Sequence, residues 1–160
     1  MYDAQYKKKL MSPDQAVKLI ERECNIVFGM AVSQPPALLA AIANRAKAKG
    51  FDKIHVYYMH AEEPANNTIL QYELMDVIKP HPCFLGSKER ALMKLADAEG
   101  NRKVIFYVPN SFSQLPRYFR ENIALDTCVV TVSPMDRFGY FTFGTNNDYT
   151  SSPAKTGSIN

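Results

Sequence analysis

Ser133-Pro134-Met135-Asp136-Arg137-Phe138-Gly139-Tyr140-Phe141-Thr142-Phe143-Gly144-Thr145-Asn146-Asn147-Asp148-Tyr149-Thr150 decides how this chain is read. The run Cys128-Val129-Val130-Thr131-Val132 leads into it. That run is β-branched and nearly unbroken, as expected of a strand buried on both faces. The chain then turns at Ser133-Pro134-Met135-Asp136 and resumes as Gly139-Tyr140-Phe141-Thr142-Phe143. Small and polar residues where a buried strand ends suit a ligand site at a sheet edge. The same residues equally suit a hairpin turn.

Upstream of this stretch, strand and helix patterns alternate. Ser12-Pro13-Asp14-Gln15 is a helix start, with Ser as cap, Pro in the first turn and Gln three after the Ser. Val17, Ile20 and Cys24 are expected on one face of that helix. The lead-in, residues 1–11, reads as polar. Asn25-Ile26-Val27-Phe28-Gly29-Met30 reads as a strand, residues 31–34 as a loop, and Pro35-Pro36 as the start of a second helix ended by Gly50. Such a unit sets helix N–H groups beside the strand's C-terminal edge, where open α/β sheets bind ligands. No G-x-G-x-x-G is present, so the dinucleotide fingerprint is missing.

Lys53-Ile54-His55-Val56-Tyr57-Tyr58-Met59 is the next strand, followed by a helix over 66–75. Pro80 and Pro82 confine residues 79–86 to an edge or bent strand. Ser87 is expected to cap a helix with Leu92, Leu95 and Ala96 inside and Gly100 at its end. Residues 103–108 read as a buried strand. Residues 111–122 hold a short helix carrying Leu115, Tyr118 and Phe119. The alternation predicts an α/β fold: an open, mostly parallel sheet with helices on both faces and an appended β-hairpin.

Composition bounds the rest. One domain of 160 residues with net charge +3 has no evident basic face for nucleic acid. Lys7-Lys8-Lys9 reads as a solvated run. No apolar window approaches the roughly 20 residues of a membrane span, and the N-terminus has no apolar signal core. Cys24, Cys83 and Cys128 lack metal-ligand spacing and read as reduced core cysteines of a cytoplasmic protein. His81 with Cys83 has the residue types of a base and a nucleophile, but no third group orients them. Glu62 and Glu63 read as solvated carboxylates, His55 as a half-buried strand histidine. Residues alone therefore place a ligand site near 29–34 and 133–150 without assigning a reaction.

The motifs themselves go further. Ser133-Pro134-Met135-Asp136, the run from Gly139 to Thr145 and Asp148-Tyr149-Thr150 closely resemble the acetyl-CoA hydrolase/transferase family, in particular 4-hydroxybutyrate CoA-transferase-like members. Three further segments match in order. They are Ser12-Pro13-Asp14-Gln15-Ala16-Val17, Gly29 with Pro35 and Leu38-Leu39, and the run from Tyr107 to Pro116, which begins Tyr107-Val108-Pro109-Asn110. The resemblance spans roughly residues 6–150. It implies a longer enzyme of two related α/β halves with the active site between them. It implies ping-pong transfer of CoA from an acyl-CoA to a small carboxylic acid through a glutamyl-CoA thioester.

In the family, that glutamate and its glycine loop lie in the C-terminal half. No glutamate of this sequence matches the motif. The resemblance thus implies that residues 1–150 are the N-terminal domain and that residues 151–160 begin a connection to a C-terminal half supplied elsewhere. It implies coenzyme A as substrate, no metal, homo-oligomers when complete, and no activity in this chain alone. The pocket residues expected are Gly29, Ser33, Gln34, Pro35, Met135, Asp136, Gly139, Gly144, Thr145 and Asn147, with no catalytic residue among them. Two other readings are a non-catalytic ligand- or partner-binding fragment, and a CoA-ester hydrolase using Cys83 or Ser133.

Overall fold

The computed structural model describes residues 2–155. The predicted connection beyond residue 155 lies outside the described residues. Four strands form one parallel sheet: β1 (Glu23–Phe28), β2 (Lys53–Tyr58), β3 (Ile78–Pro82) and β4 (Thr127–Val129), in the order β3-β2-β1-β4. Glu23 pairs with Lys53, Ile54 with Ile78, and Ile26 with Thr127. Helices α1 (Tyr2–Lys9), α2 (Pro13–Ala16), α3 (Pro36–Lys47), α4 (Glu63–Asn66), α5 (Ser87–Ala98), α6 (Leu115–Asn122) and α7 (Ser151–Lys155) complete the chain.

Period-two alternation divides the sheet between two cores. Ile26, Phe28, Ile54, Val56, Tyr58 and Ile78 point to one face, under Leu39, Ile42 and Ala46 of α3 and Leu92 and Ala96 of α5. Val27, Tyr57 and Cys83 point to the other, under Leu115 and Phe119 of α6 and against Tyr149. Helices therefore cover both faces of a parallel sheet, as the alternating pattern requires.

The Ser12 capping box forms as read. The Ser12 hydroxyl accepts from the Gln15 N–H at 3.3 Å, and the Ser12 N–H donates to the Gln15 side chain at 3.0 Å. Its helix is a single turn that passes into a 3-10 turn at Val17–Leu19, so Cys24 sits in β1 and not on a helical face. Residues 66–75 are largely turns: α4 ends at Asn66 and only Tyr72–Leu74 coils again, as 3-10. Gly86, not Ser87, is the N-cap of α5, and Leu95 is 49 % exposed on its outer side. The lead-in is helical at α1, although none of its residues is buried.

β4 is not buried on both faces. It is the sheet's edge, three residues long, with Cys128 half-buried and Val132 42 % exposed. Beyond it, the Ser133 N–H donates to the Thr142 carbonyl and the Asp136 N–H to the Tyr140 carbonyl, both at 2.9 Å. The chain reverses as a hairpin does, but no regular strand pair forms in residues 133–143.

Residues 103–108 are also not a regular strand, for a reason visible in β3. In a parallel pair, a residue's N–H and C=O both point to the same neighbour. The Phe106 and Val108 N–H groups donate to the Pro80 and Pro82 carbonyls, each at 2.9 Å. The returning donors would be the N–H groups of Pro80 and Pro82, which proline lacks. The segment lies along β3 like a fifth strand, held by hydrogen bonds running one way only.

Candidate functional site

β1 ends at Phe28, and from Gly29 the chain turns sharply into a 3-10 turn at Ala31–Ser33 before α3. Ala31 takes φ +48°, a left-handed value unusual for a residue with a Cβ. A single carboxylate holds this turn. Asp148, 7 % exposed, accepts the Met30 N–H at 2.7 Å and the Ser33 hydroxyl at 3.0 Å. Its other oxygen accepts the Thr150 N–H at 2.8 Å and the Thr150 hydroxyl at 2.5 Å. The Asn146 amide donates to the Met30 carbonyl, to the Ser33 Oγ at 3.1 Å and to Asp148 at 3.4 Å. A buried carboxylate needs donors on both oxygens, and here they come from two loops more than 100 residues apart in sequence.

Gly29 fits this turn because a Cβ there would lie 1.9 Å from Ser33 Oγ. The Tyr149 hydroxyl extends the clamp to the next strand. It donates to the Phe28 carbonyl at 2.8 Å and accepts the Met59 N–H at 3.0 Å, so β1 and β2 are pinned where both end. Burial pushes the Tyr149 phenol well above its ordinary value, which keeps it a neutral donor. Gln34, also buried, donates to the His60 carbonyl at 3.1 Å and accepts the Ala65 N–H at 3.3 Å. The Thr131 hydroxyl donates to the Gln34 carbonyl at 3.2 Å, so the chain beyond β4 is tied to the same turn.

The sequence-derived pocket residues fall into two groups. Gly29, Ser33, Gln34 and Pro35 are buried at the C-terminal edge of β1. Met135 and Gly139 line a groove of about 430 Å³ against α1, together with Tyr2, Tyr6, Met11 and Phe141. Asp136 caps the reversal, accepting the Phe138 and Tyr140 N–H groups at 2.8 and 2.9 Å. Gly139 has φ +86°, and a Cβ there would lie 2.6 Å from the Tyr2 ring, so α1 seats on it. Gly144, Thr145 and Asn147 are exposed at the loop tip, Gly144 with φ +66°.

Sequence reasoning did not single out Asp148, Tyr149 or Asn146 as functional side chains. Their signal was the Asp148-Tyr149-Thr150 motif of the family resemblance and the polar run before it, which reads as loop chemistry until its partners are known. Cys83 is buried and its thiol is pushed up to about 11, opposite to the shift that activates a nucleophile. His81 turns to His55 instead. Ser133 donates to the Pro134 carbonyl at 3.0 Å, and no histidine or carboxylate bonds to it among the described residues. Among the described residues no group of three metal-ligating side chains forms, and no helix is long and apolar enough to cross a membrane.

The family described as Acetyl-CoA hydrolase/transferase N-terminal domain matches residues 1–156. The chain belongs to this family. The chain is 28 % identical over 156 residues to the 4-hydroxybutyrate coenzyme A transferase of Clostridium kluyveri, covering 96 % of this chain and 34 % of that protein. It is 30 % identical over 144 residues to the butyryl-CoA:acetate CoA-transferase of Anaerostipes caccae, covering 89 % and 30 %. The crystal structure of RipA from Yersinia pestis superposes with a TM-score of 0.95 at 42 % identity, covering 99 % of this chain and 37 % of that one. The chain thus spans about a third of the length of the curated relatives it matches.

Proposed function

We propose that this domain is one wall of a CoA-transferase that moves CoA between an acyl-CoA and a small carboxylic acid of the 4-hydroxybutyrate or acetate type. The observation that supports this reading best is the clamped turn at the end of β1. It is a rigid, backbone-rich lip at the C-terminal edge of a parallel sheet, in a chain of this family. In the reaction, a glutamate carboxylate from the C-terminal domain attacks the thioester carbonyl. This gives a mixed anhydride and CoA thiolate. The thiolate attacks the glutamyl carbonyl, releasing the first acid and leaving a glutamyl-CoA thioester, which the second acid reverses. Gly29, Ser33, Gln34 and Pro35 form the inner wall of the pocket. Met135, Asp136, Gly139, Gly144, Thr145 and Asn147 form its outer lip. Free thiols at Cys24, Cys83 and Cys128 fit a reducing, cytoplasmic setting.

The C-terminal domain packs, in this reading, on the face made by α1 and the reversal. Tyr140 is 70 % exposed there, Phe138 57 % and Phe141 45 %. That same face supports the second reading, a non-catalytic partner-binding fragment. An assay separates them. The purified chain, given butyryl-CoA and acetate, should form no acetyl-CoA by itself. Adding protein that carries the C-terminal domain should start transfer. Transfer by the chain alone would overturn the assignment of the glutamate to the other domain, and no transfer from the reconstituted pair would favour the partner-binding reading.

A further inference from the structure

The lower half of the second sheet face holds a titratable cluster that the clamped turn does not use. His55 on β2 and His81 on β3 share a hydrogen bond, Nδ1 to Nε2 at 2.7 Å. One ring must donate and the other accept, so the contact needs at least one neutral imidazole. The His81 ring lies between Tyr57, 4.5 Å away and nearly parallel, and Phe106, 5.2 Å away and nearly parallel. Phe106 belongs to the segment that hangs on β3 by one-way hydrogen bonds. Val104 and Ile105, buried in the first core, anchor the start of this segment, and the stack on His81 holds Phe106 where the proline-depleted ladder does not.

The surroundings oppose a positive charge. Lys53 on β2 and Lys79 on β3 face His55, with Glu23 of β1 on the other side of the balance. Lys103, from the hanging segment itself, faces His81 and lies 4.8 Å over the Phe106 ring. Burial first, then Lys53 and Lys79, hold His55 below its ordinary value. Burial first, then His55 and Lys103, bring His81 down to about 4.

We propose that the His55–His81 pair is an acid-sensitive latch that holds residues 106–108 on the edge of β3 when neutral and releases them when protonated. Release opens the Phe106 stack to water while Val104 and Ile105 stay in the first core. The segment leads through a 3-10 turn at Phe112–Gln114 into α6, whose Phe119 ring packs 5.4 Å from Tyr149. Tyr149 pins the ends of β1 and β2. The latch therefore reaches the candidate site through one helix, and acid loosens that site before it unfolds the sheet.

The sign follows from the proton balance. Attached, His81 takes a proton only near pH 4; released, it does so near its ordinary 6.5. Attachment is at full strength above about 6.5 and weakens as pH falls toward 4.

Amide hydrogen exchange read by NMR tests this. Protection of the Phe106 and Val108 amides, corrected for intrinsic exchange, should fall at least about tenfold relative to Ile26 and Val56 between about pH 7.5 and pH 4.5. His81→Phe keeps a neutral ring in the stack and should flatten that dependence. Equal pH dependence in the variant, or no dependence in the native chain, overturns the latch. Should His81→Phe not fold, the histidine titration of the native chain decides. A His81 ring titrating at its ordinary value, or titrating without loss of Phe106 and Val108 protection over the same pH range, overturns the proposal; titration well below that value with protection lost over the same range upholds it.

Discussion

Asp148 is the residue on which the candidate site most depends. Its two oxygens take charge-assisted hydrogen bonds from Met30, Ser33, Asn146 and Thr150. Asp148→Asn would turn one acceptor oxygen into a donor facing donors. The loss should be about 2–3 kcal/mol, the cost of breaking buried bonds to a charged group. A urea midpoint shift with unchanged slope would measure it. Tyr149→Phe strips the part-buried Met59 N–H of its acceptor and should cost about 1–2 kcal/mol. Gly29→Ala sets a methyl against a Ser33 hydroxyl that cannot swing aside, because it already bonds to Met30 and Asp148. Overpacking of this kind costs about 1–3 kcal/mol, and reconstituted transfer should fall with it. At this scale the sequence was partly legible. Gly29, Ser33 and Gln34 were expected at the strand end and are there. Asp148 was not singled out, because a carboxylate in a polar loop looks solvated until the donors brought to it by the fold are known.

Elements were read best where one local rule governs them. The Ser12 box, the prolines that open α3 and the alternation in β1 and β2 depend on neighbours in sequence alone. Misreadings arose where tertiary context overrode pattern. Cys128-Val129-Val130-Thr131-Val132 has the composition of a central strand, yet the sheet ends there, and edge position is not encoded in a run of valines. Residues 103–108 have strand composition too, but the prolines that prevent a full ladder lie on the neighbouring strand. Helix α1 shows the reverse case. It forms without a buried residue, resting on Gly139 through Tyr2 and on Phe141 through Tyr6, whose rings are 5.8 Å apart. An eight-residue helix is marginal by itself, so its contribution should be small. Deleting residues 2–9 should shift the unfolding free energy of the chain by less than about 1 kcal/mol.

At the scale of the whole molecule, stability and function part company. The two cores lie on either side of the sheet and include none of Phe138, Tyr140 or Phe141. Side chains outside the cores add little to folding, yet three large aromatic ones side by side are unusual on a free surface. If this face receives the C-terminal domain, replacing Phe138, Tyr140 and Phe141 together by Ser should leave the isolated chain's urea midpoint nearly unchanged, within about 1 kcal/mol. The same replacement should remove most of the CoA transfer regained on adding the C-terminal domain, because aromatic anchors dominate such interfaces. A large loss of stability in the isolated chain would place these rings in the fold itself. Undiminished transfer would place the domain contact on another face. The two readouts respond to different physics, burial within the chain and burial against a partner, so one variant separates them.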